Sequence, residues 1–484
     1  MHVMQLVSLK KYIIVACILF HVAILSSLVP LGRFGDSEDA LLGGCLISQG
    51  KVLYQDFFSH HGPLPYYWAA LIYTITGTCD IMTPHIPLVI LSLATIWIVY
   101  FFTKSLRTLT VLSFLFMTLA LHYYLFMPFP QPFISIAGIL SFLILIYFQT
   151  MPTIFLSLFF ILCISFFVLA SPIYIPCALL LTLFFLLEKK LRYSLLVVLG
   201  YIPSLITMLS IGIPTWWYHN IEFNFRWYQP YDKSILKQYG ETFYHYIGNI
   251  VKILEHPILI TNVNRIENLF ELTTLLLWII VLYRLWKEHI IEKKLLFFIA
   301  LLSLFLSLHF MHFHKTPYIL YVFLVASFYW KSLRWERYLY ICAIFLASII
   351  ALQTYMPIIQ TNNTDARLQT YESIIPTYTK PSDTVLLYPS RFDAYLTSHR
   401  NPGSYYYFLM PWIIDQPNTQ EKVIADIQKN SVQLIILDDL DGKMNVFDLH
   451  LTAPKVVQFL DTNPLYTKNT DTKGFTLYIR KNIE

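Results

Sequence analysis

Long apolar runs separated by short polar connections make up most of the chain. They occupy residues 12–29, 84–102, 109–127, 132–148, 153–170, 175–187, 193–212, 270–285, 295–311, 317–330 and 338–356. Such runs predict helices that are apolar on every side, the pattern of segments that cross a bilayer. The first run follows Lys10 and Lys11 and contains no small-x-small cleavage site, which predicts an uncleaved signal anchor. A further apolar piece, Leu64–Thr76, is 13 residues long. As a helix it reaches about 20 Å, short for a ~30 Å hydrocarbon core.

Charge decides how that short piece is placed. If it does not cross, Lys10, Lys11, Lys104, Arg107, Lys189, Lys190, Arg192, Arg284, Lys287, Lys293, Lys294, Lys331, Arg334 and Arg337 all fall in short cytoplasmic connections. These are 14 of the 22 basic residues before residue 357, the bias that the positive-inside rule describes. If it crosses, the downstream topology inverts. Residues 64–76 are therefore read as an interfacial or re-entrant helix. Eleven crossings follow, with a cytoplasmic N-terminus, outer loops at about 30–83 and 213–269, and the tail beyond residue 356 outside.

The pattern changes in that tail. Thr384–Tyr388 and Val432–Leu437 look like strands buried on both faces, with a helical period at Thr419–Lys429 between them. A helix near Ala453–Leu460 and a strand at Phe475–Ile479 would complete a three-layer α/β sandwich. The expected fold class is an α-helical polytopic membrane protein of about 11 transmembrane helices, residues 1–356, with a small extracytoplasmic α/β domain, residues 357–484.

Composition sharpens this reading. Of the 484 residues, 56% are hydrophobic and 13% charged, about half the charge usual in a soluble protein. A soluble cytosolic enzyme is excluded. The net charge of +5 resides in loop Lys and Arg rather than in a basic stripe, so no nucleic-acid partner is expected. The six Cys show no zinc or disulfide spacing and read as single buried apolar residues. No phosphate-cradling Gly-rich loop occurs in the tail.

The richest polar stretch lies in the first outer loop. Asp36-Ser37-Glu38-Asp39 is followed by Gln49-Gly50, then by Tyr54-Gln55-Asp56-Phe57-Phe58-Ser59-His60-His61-Gly62-Pro63-Leu64. Asp36 and Asp39, three apart, share one face of a short helix. A carboxylate at the water–lipid boundary suits a general base toward a hydroxyl, or a ligand holding a divalent cation against a lipid phosphate. Asp36, Ser37 and Glu38 equally suit an N-terminal cap whose acids complement the helix dipole.

This block resembles the first outer loop of the GT-C glycosyltransferases. It is closest to the bacterial members related to protein O-mannosyltransferases and aminoarabinose–lipid A transferase. In those proteins an acidic pair stands about fourteen residues before a Gln-Gly or Leu-Gly. A Tyr-x-Asp and a Gly-Pro-Leu or Pro-Pro-Leu then open a juxtamembrane helix. Here Asp36 stands fourteen residues before Gly50, Asp56 matches the second Asp, and Gly62-Pro63-Leu64 matches the helix start. Two positions depart from the pattern. Ser37 occupies the second acidic place, with Glu38 one later, and His60-His61 stand where the family is often basic.

The resemblance implies a polyprenyl-phosphate-linked sugar donor and a lipid, glycan or protein acceptor. It implies inverting transfer with Asp36 as general base, supported by Glu38, Asp39 and Asp56. Candidates for donor phosphate and sugar are His60, His61, Arg226, Lys315 (beside His312 and His314), Trp217 and Tyr54. Aromatic faces stack on sugars and Arg pairs with phosphate, although an interfacial aromatic belt uses the same residue types. The expected location is the inner membrane. A glycan polymerase or ligase is the alternative. A lipid or sugar transporter ranks lower, because the apolar runs carry almost no ionisable residue beyond Glu271 at an edge.

Overall fold

The structure, a computed structural model, describes residues 12–23, 35–120, 127–189, 191–228, 263–307, 316–330, 333, 336–361, 366–438, 448–472 and 474–481. The chain divides into two compact units. The first comprises Met1–Gly32, His85–Thr207 and Ile235–Asn362, and the second Arg33–Pro84, Met208–Ser234 and Asn363–Glu484.

Every described element of the first unit is helical. Helices stand at each of the apolar runs, from Tyr12–Ala23 and His85–Thr103 to Thr316–Phe328 and Glu336–Thr361. Five of them are long and apolar enough to cross a membrane: His85–Thr103, Pro130–Tyr147, Thr153–Ala170, Leu191–Ile211 and Leu269–Lys287. Their hydropathies are similar, yet Pro130–Tyr147 is 89% buried and Leu191–Ile211 22%. The first is the centre of the bundle, and the second turns Leu191, Leu195, Val198 and Leu209 outward. An all-apolar helix can bury any face, so the sequence does not distinguish centre from periphery.

The second unit is built on two helices and a sheet. Helix α1, Gly35–Ser48, and helix α2, Leu64–Thr76, have the termini that the sequence suggests. Pro63 precedes α2, and Gly77 ends it at φ 72°, a left-handed conformation that favours glycine. Asp39 meets Tyr66, Gly44 meets Ala69, and Cys45 meets Cys79. Because these pairs advance together, the two helices run in the same sense. Contact is close because Gly43 and Gly44 present no side chain. A Cβ on Gly44 would lie 2.4 Å from that of Ala69 and 2.9 Å from the backbone nitrogen of Ala70.

Two expectations about cysteine are corrected. Cys45 and Cys79 form a disulfide, with Cα atoms 5.5 Å apart and the two residues 34 positions apart in sequence. No spacing rule reveals it, because the return segment 49–63 brings the ends of two parallel helices together. Cys342, expected to be buried, is exposed.

The sheet has five strands: β1 Thr384–Tyr388, β2 Asn401–Pro402, β3 Leu434–Asp438, β4 Tyr466–Thr472 and β5 Phe475–Arg480, in the order β2-β1-β3-β5-β4. β1 pairs in parallel with β2 and β3, Leu386 opposite Ile435, and β5 runs antiparallel to β3 and β4. The apolar strands β1 and β3 are buried almost throughout. The polar edge strand β4, Tyr-Thr-Lys-Asn-Thr-Asp-Thr, has no apolar alternation to announce it. Helix α3, Thr419–Lys429, lies where its period places it, and α4, Pro454–Thr462, packs on it.

Gly44→Ala should lower the unfolding free energy by about 1–3 kcal/mol, the usual cost of overpacking a close contact. The measurement is thermal unfolding of the detergent-purified protein. An unchanged midpoint would mean that α1 and α2 can separate without loss.

Candidate active site

The site lies within the second unit and begins with helix α1. Asp36 and Glu38 occupy its first turn, where the helix dipole favours negative charge. Ser37, Glu38 and Asp39 are buried, whereas Asp36 is half-buried. Asp36 makes no hydrogen bond or ion pair among the described residues. Its neighbour on the same face, Asp39, is fully engaged: the Tyr66 hydroxyl donates to one carboxylate oxygen and the Tyr407 hydroxyl to the other. Burial raises the Asp39 pKa to about 6, and the charge of Asp36 adds to the rise. His61 and the two hydroxyls oppose it by favouring the charged form.

From Asp39 a network extends through the loop before α2. The Ser59 hydroxyl lies 2.6 Å from the Tyr66 hydroxyl, and the Ser59 carbonyl lies 2.8 Å from His219 Nδ1. Because a carbonyl only accepts, Nδ1 carries the proton. Tyr54 stacks on His219 at 4.8 Å, donates to the His61 carbonyl and receives the Asn220 amide at 3.1 Å. Tyr405 donates to the Tyr54 carbonyl at 2.9 Å. Three stretches distant in sequence (54–66, 216–228 and 404–408) thus share one hydrogen-bonded core.

The candidates suggested by sequence separate into distinct settings. His60 is buried among Phe223, Tyr228 and His61, with ring centroids 5.6, 5.0 and 4.2 Å away. Burial first, then the neighbouring His61 and His219, hold its pKa well below the ordinary histidine value, so it is neutral near pH 7. Asn224 donates to the His60 carbonyl at 2.9 Å. His61 is half-buried. Asp56 is exposed and closes a turn, accepting the Val52 N–H at 2.7 Å. Arg226 is exposed, lies 3.5 Å from Glu222 and sits over the Trp227 ring. Trp217 is 54% exposed, and Lys315, with His312 and His314, lies outside the described residues. Asp36, Asp39, Tyr54, His60 and His61 are brought into one neighbourhood. Asp56, Trp217 and Arg226 face outward.

Among the described residues no three His, Cys, Asp or Glu side chains converge on a point that could hold a metal ion. The sequence reading missed Tyr66, Ser59, Asn220 and Tyr407, and took His219 only as part of an aromatic run. The one signal for the tail residues is the unbroken aromatic stretch Tyr405-Tyr406-Tyr407-Phe408.

No protein-family model matches the chain, and no curated protein is similar to it in sequence. Among solved structures, ArnT from Cupriavidus metallidurans in the apo state aligns over 99% of this chain and 98% of its own at 9% identity, with a TM-score of 0.50. The Archaeoglobus fulgidus oligosaccharyltransferase tethered to an acceptor peptide containing the NVT sequon aligns over 98% of this chain and 74% of its own. Its identity is 12% and its TM-score 0.49. The chain shares the overall fold of that ArnT structure.

An acid whose pKa rises on folding binds more protons folded than unfolded between its two values, so its contribution to stability falls as pH climbs through that window. For Asp39 the window runs from 3.8 to about 6. His219, lowered from 6.5 to about 4 by burial, acts in the opposite sense over nearly the same range. The stability of the natural protein minus that of Asp39→Asn isolates the carboxyl. It should fall by on the order of 3 kcal/mol across the window and stay flat above it. Thermal unfolding at pH steps measures it, and a rising or flat difference would contradict a buried charge at residue 39.

Proposed function

We propose that this chain is a membrane glycosyltransferase that moves a hexose or pentose from a polyprenyl-phosphate donor to an acceptor hydroxyl on the outer face of the inner membrane. The observation that carries the reading is the state of Asp36 within a GT-C fold. It is the carboxylate of the acidic helix that has water access and no partner among the described residues, beside an Asp39 that is tied at both oxygens.

In this reading Asp36 takes the proton of the acceptor hydroxyl as its oxygen attacks the anomeric carbon. The bond from that carbon to the phosphate oxygen breaks on the opposite face, and the configuration inverts. The leaving group is a lipid phosphate monoester, which needs nearby positive charge but little protonation. His60 is neutral in its buried setting, so His61, Arg226 and Lys315 remain the candidates for that charge. The described residues offer no three-ligand metal site, and no step is routed through a cation.

The proposed topology has eleven spans in residues 1–356, a cytoplasmic N-terminus and an outer tail, residues 357–484. The loop charges support it, as does the Cys45–Cys79 disulfide, since such bonds persist on the oxidising side of a membrane. The acceptor is a lipid, glycan or protein hydroxyl.

Detergent-purified protein should carry an adduct of polyprenyl-phosphate mass in native mass spectrometry. Asp36→Asn should keep that adduct and its thermal midpoint while losing about 10²- to 10⁴-fold in sugar transfer, the range for a general base. Asp56→Asn should transfer normally. Full transfer by Asp36→Asn would remove the base assignment, and a protein indifferent to the lipid would remove the donor class.

A further inference from the structure

Beside the hydrogen-bonded core, the second unit contains an open cavity of about 310 Å³, within the range of small-ligand sites. It lies where the loop before α2 meets residues 218–219 and the tail segment 405–422. Its ligand-facing chemistry comes from Tyr218, His219, Tyr405, Tyr406, Gln416 and Lys422. The Tyr218 hydroxyl donates to Gln416 Oε1 at 3.0 Å. Lys422 is exposed, and its ammonium has no hydrogen bond or ion pair among the described residues.

One feature of the wall calls for a ligand hydroxyl. The Tyr405 hydroxyl stands 2.9 Å from the Tyr54 carbonyl and 3.2 Å from His219 Nε2. His219 is neutral, its pKa pushed down by burial, and Nδ1 holds its proton against the Ser59 carbonyl, so Nε2 can only accept. The single proton of Tyr405 cannot satisfy both acceptors. One therefore stays open toward the cavity, suited to an O–H from outside.

We infer that this cavity is a saccharide subsite for a pyranose unit carrying an anionic substituent. Tyrosine rings cover the apolar C–H face of the sugar. The Gln416 amide and the unfilled acceptor beside Tyr405 take its hydroxyls, and Lys422 meets the anion. The subsite rests on the glycosyltransferase reading and deepens it, since its occupant is the acceptor glycan. The wall is continuous with the acidic helix: His219 binds Ser59, Ser59 binds Tyr66, and Tyr66 binds Asp39.

The test is saturation-transfer NMR on the full chain in detergent with three probes, namely methyl glucuronide, glucose-6-phosphate and methyl glucoside. One of the anionic probes should bind more tightly than methyl glucoside, and which one does separates a carboxylate from a phosphate ligand. Lys422→Gln, at a solvent-facing position whose ammonium has no partner among the described residues, should fold normally and weaken the anionic probe about tenfold, the scale of one charge-assisted hydrogen bond. Methyl glucoside should bind this variant as before. Asp36→Asn should bind all three probes like the natural protein, so loss of transfer and loss of binding are read separately. Failure of both anionic probes to bind, or equal binding by natural protein and Lys422→Gln, would overturn the subsite while leaving the transferase reading to its own test.

Discussion

Much of the second unit follows from the need to keep one carboxylate out of water. Asp39 sits on the inner face of a helix whose first turn is already acidic, where burial alone would force it to protonate. Two tyrosine hydroxyls make the charged form tolerable, and they come from different parts of the chain. Tyr66 belongs to the next helix, and Tyr407 lies beyond β2. Satisfying Asp39 thus brings α2 and the tail against the acidic helix. Asp36, one turn earlier on the same face, is without such partners among the described residues and is half-buried.

The glycine pair makes this arrangement sterically attainable. Tyr66 reaches Asp39 only because α2 lies almost against the backbone of α1 at Gly43 and Gly44. The disulfide at the far end holds the two helices in the same parallel sense. Packing, covalent restraint and buried polarity therefore act on one pair of elements, and the polar network beyond Ser59 inherits its geometry from them.

Much of this was legible in the residues, and the remainder was hidden for physical reasons. The apolar runs, α1, α2, β1, β3 and α3 are each specified by local periodicity or by a proline or glycine at an end, so they stand where the pattern places them. The acidic block marks the helix that carries the buried carboxylate. Its internal division of labour depended on contacts across hundreds of residues. Nothing local to Asp36 and Asp39 says which one will meet Tyr407. His60 and His61 are adjacent and chemically identical, and only packing against Phe223 and Tyr228 makes the first a neutral buried ring. The Cys45–Cys79 pair and the polar strand β4 escaped notice for the same reason, since both are defined by partners rather than by pattern.

The bond between Asp39 and Tyr407 joins positions 368 apart in sequence. Closing so long a loop comes late in folding, after local helices have formed. The acidic helix leaves the ribosome well before the hydroxyl that completes its buried carboxylate. A chain interrupted between the last helix of the bundle and Tyr407 would possess its bundle and its acidic helix, yet would hold a carboxylate missing one of its donors. The protein thus carries its own check on synthesis, because a segment made late settles one made early.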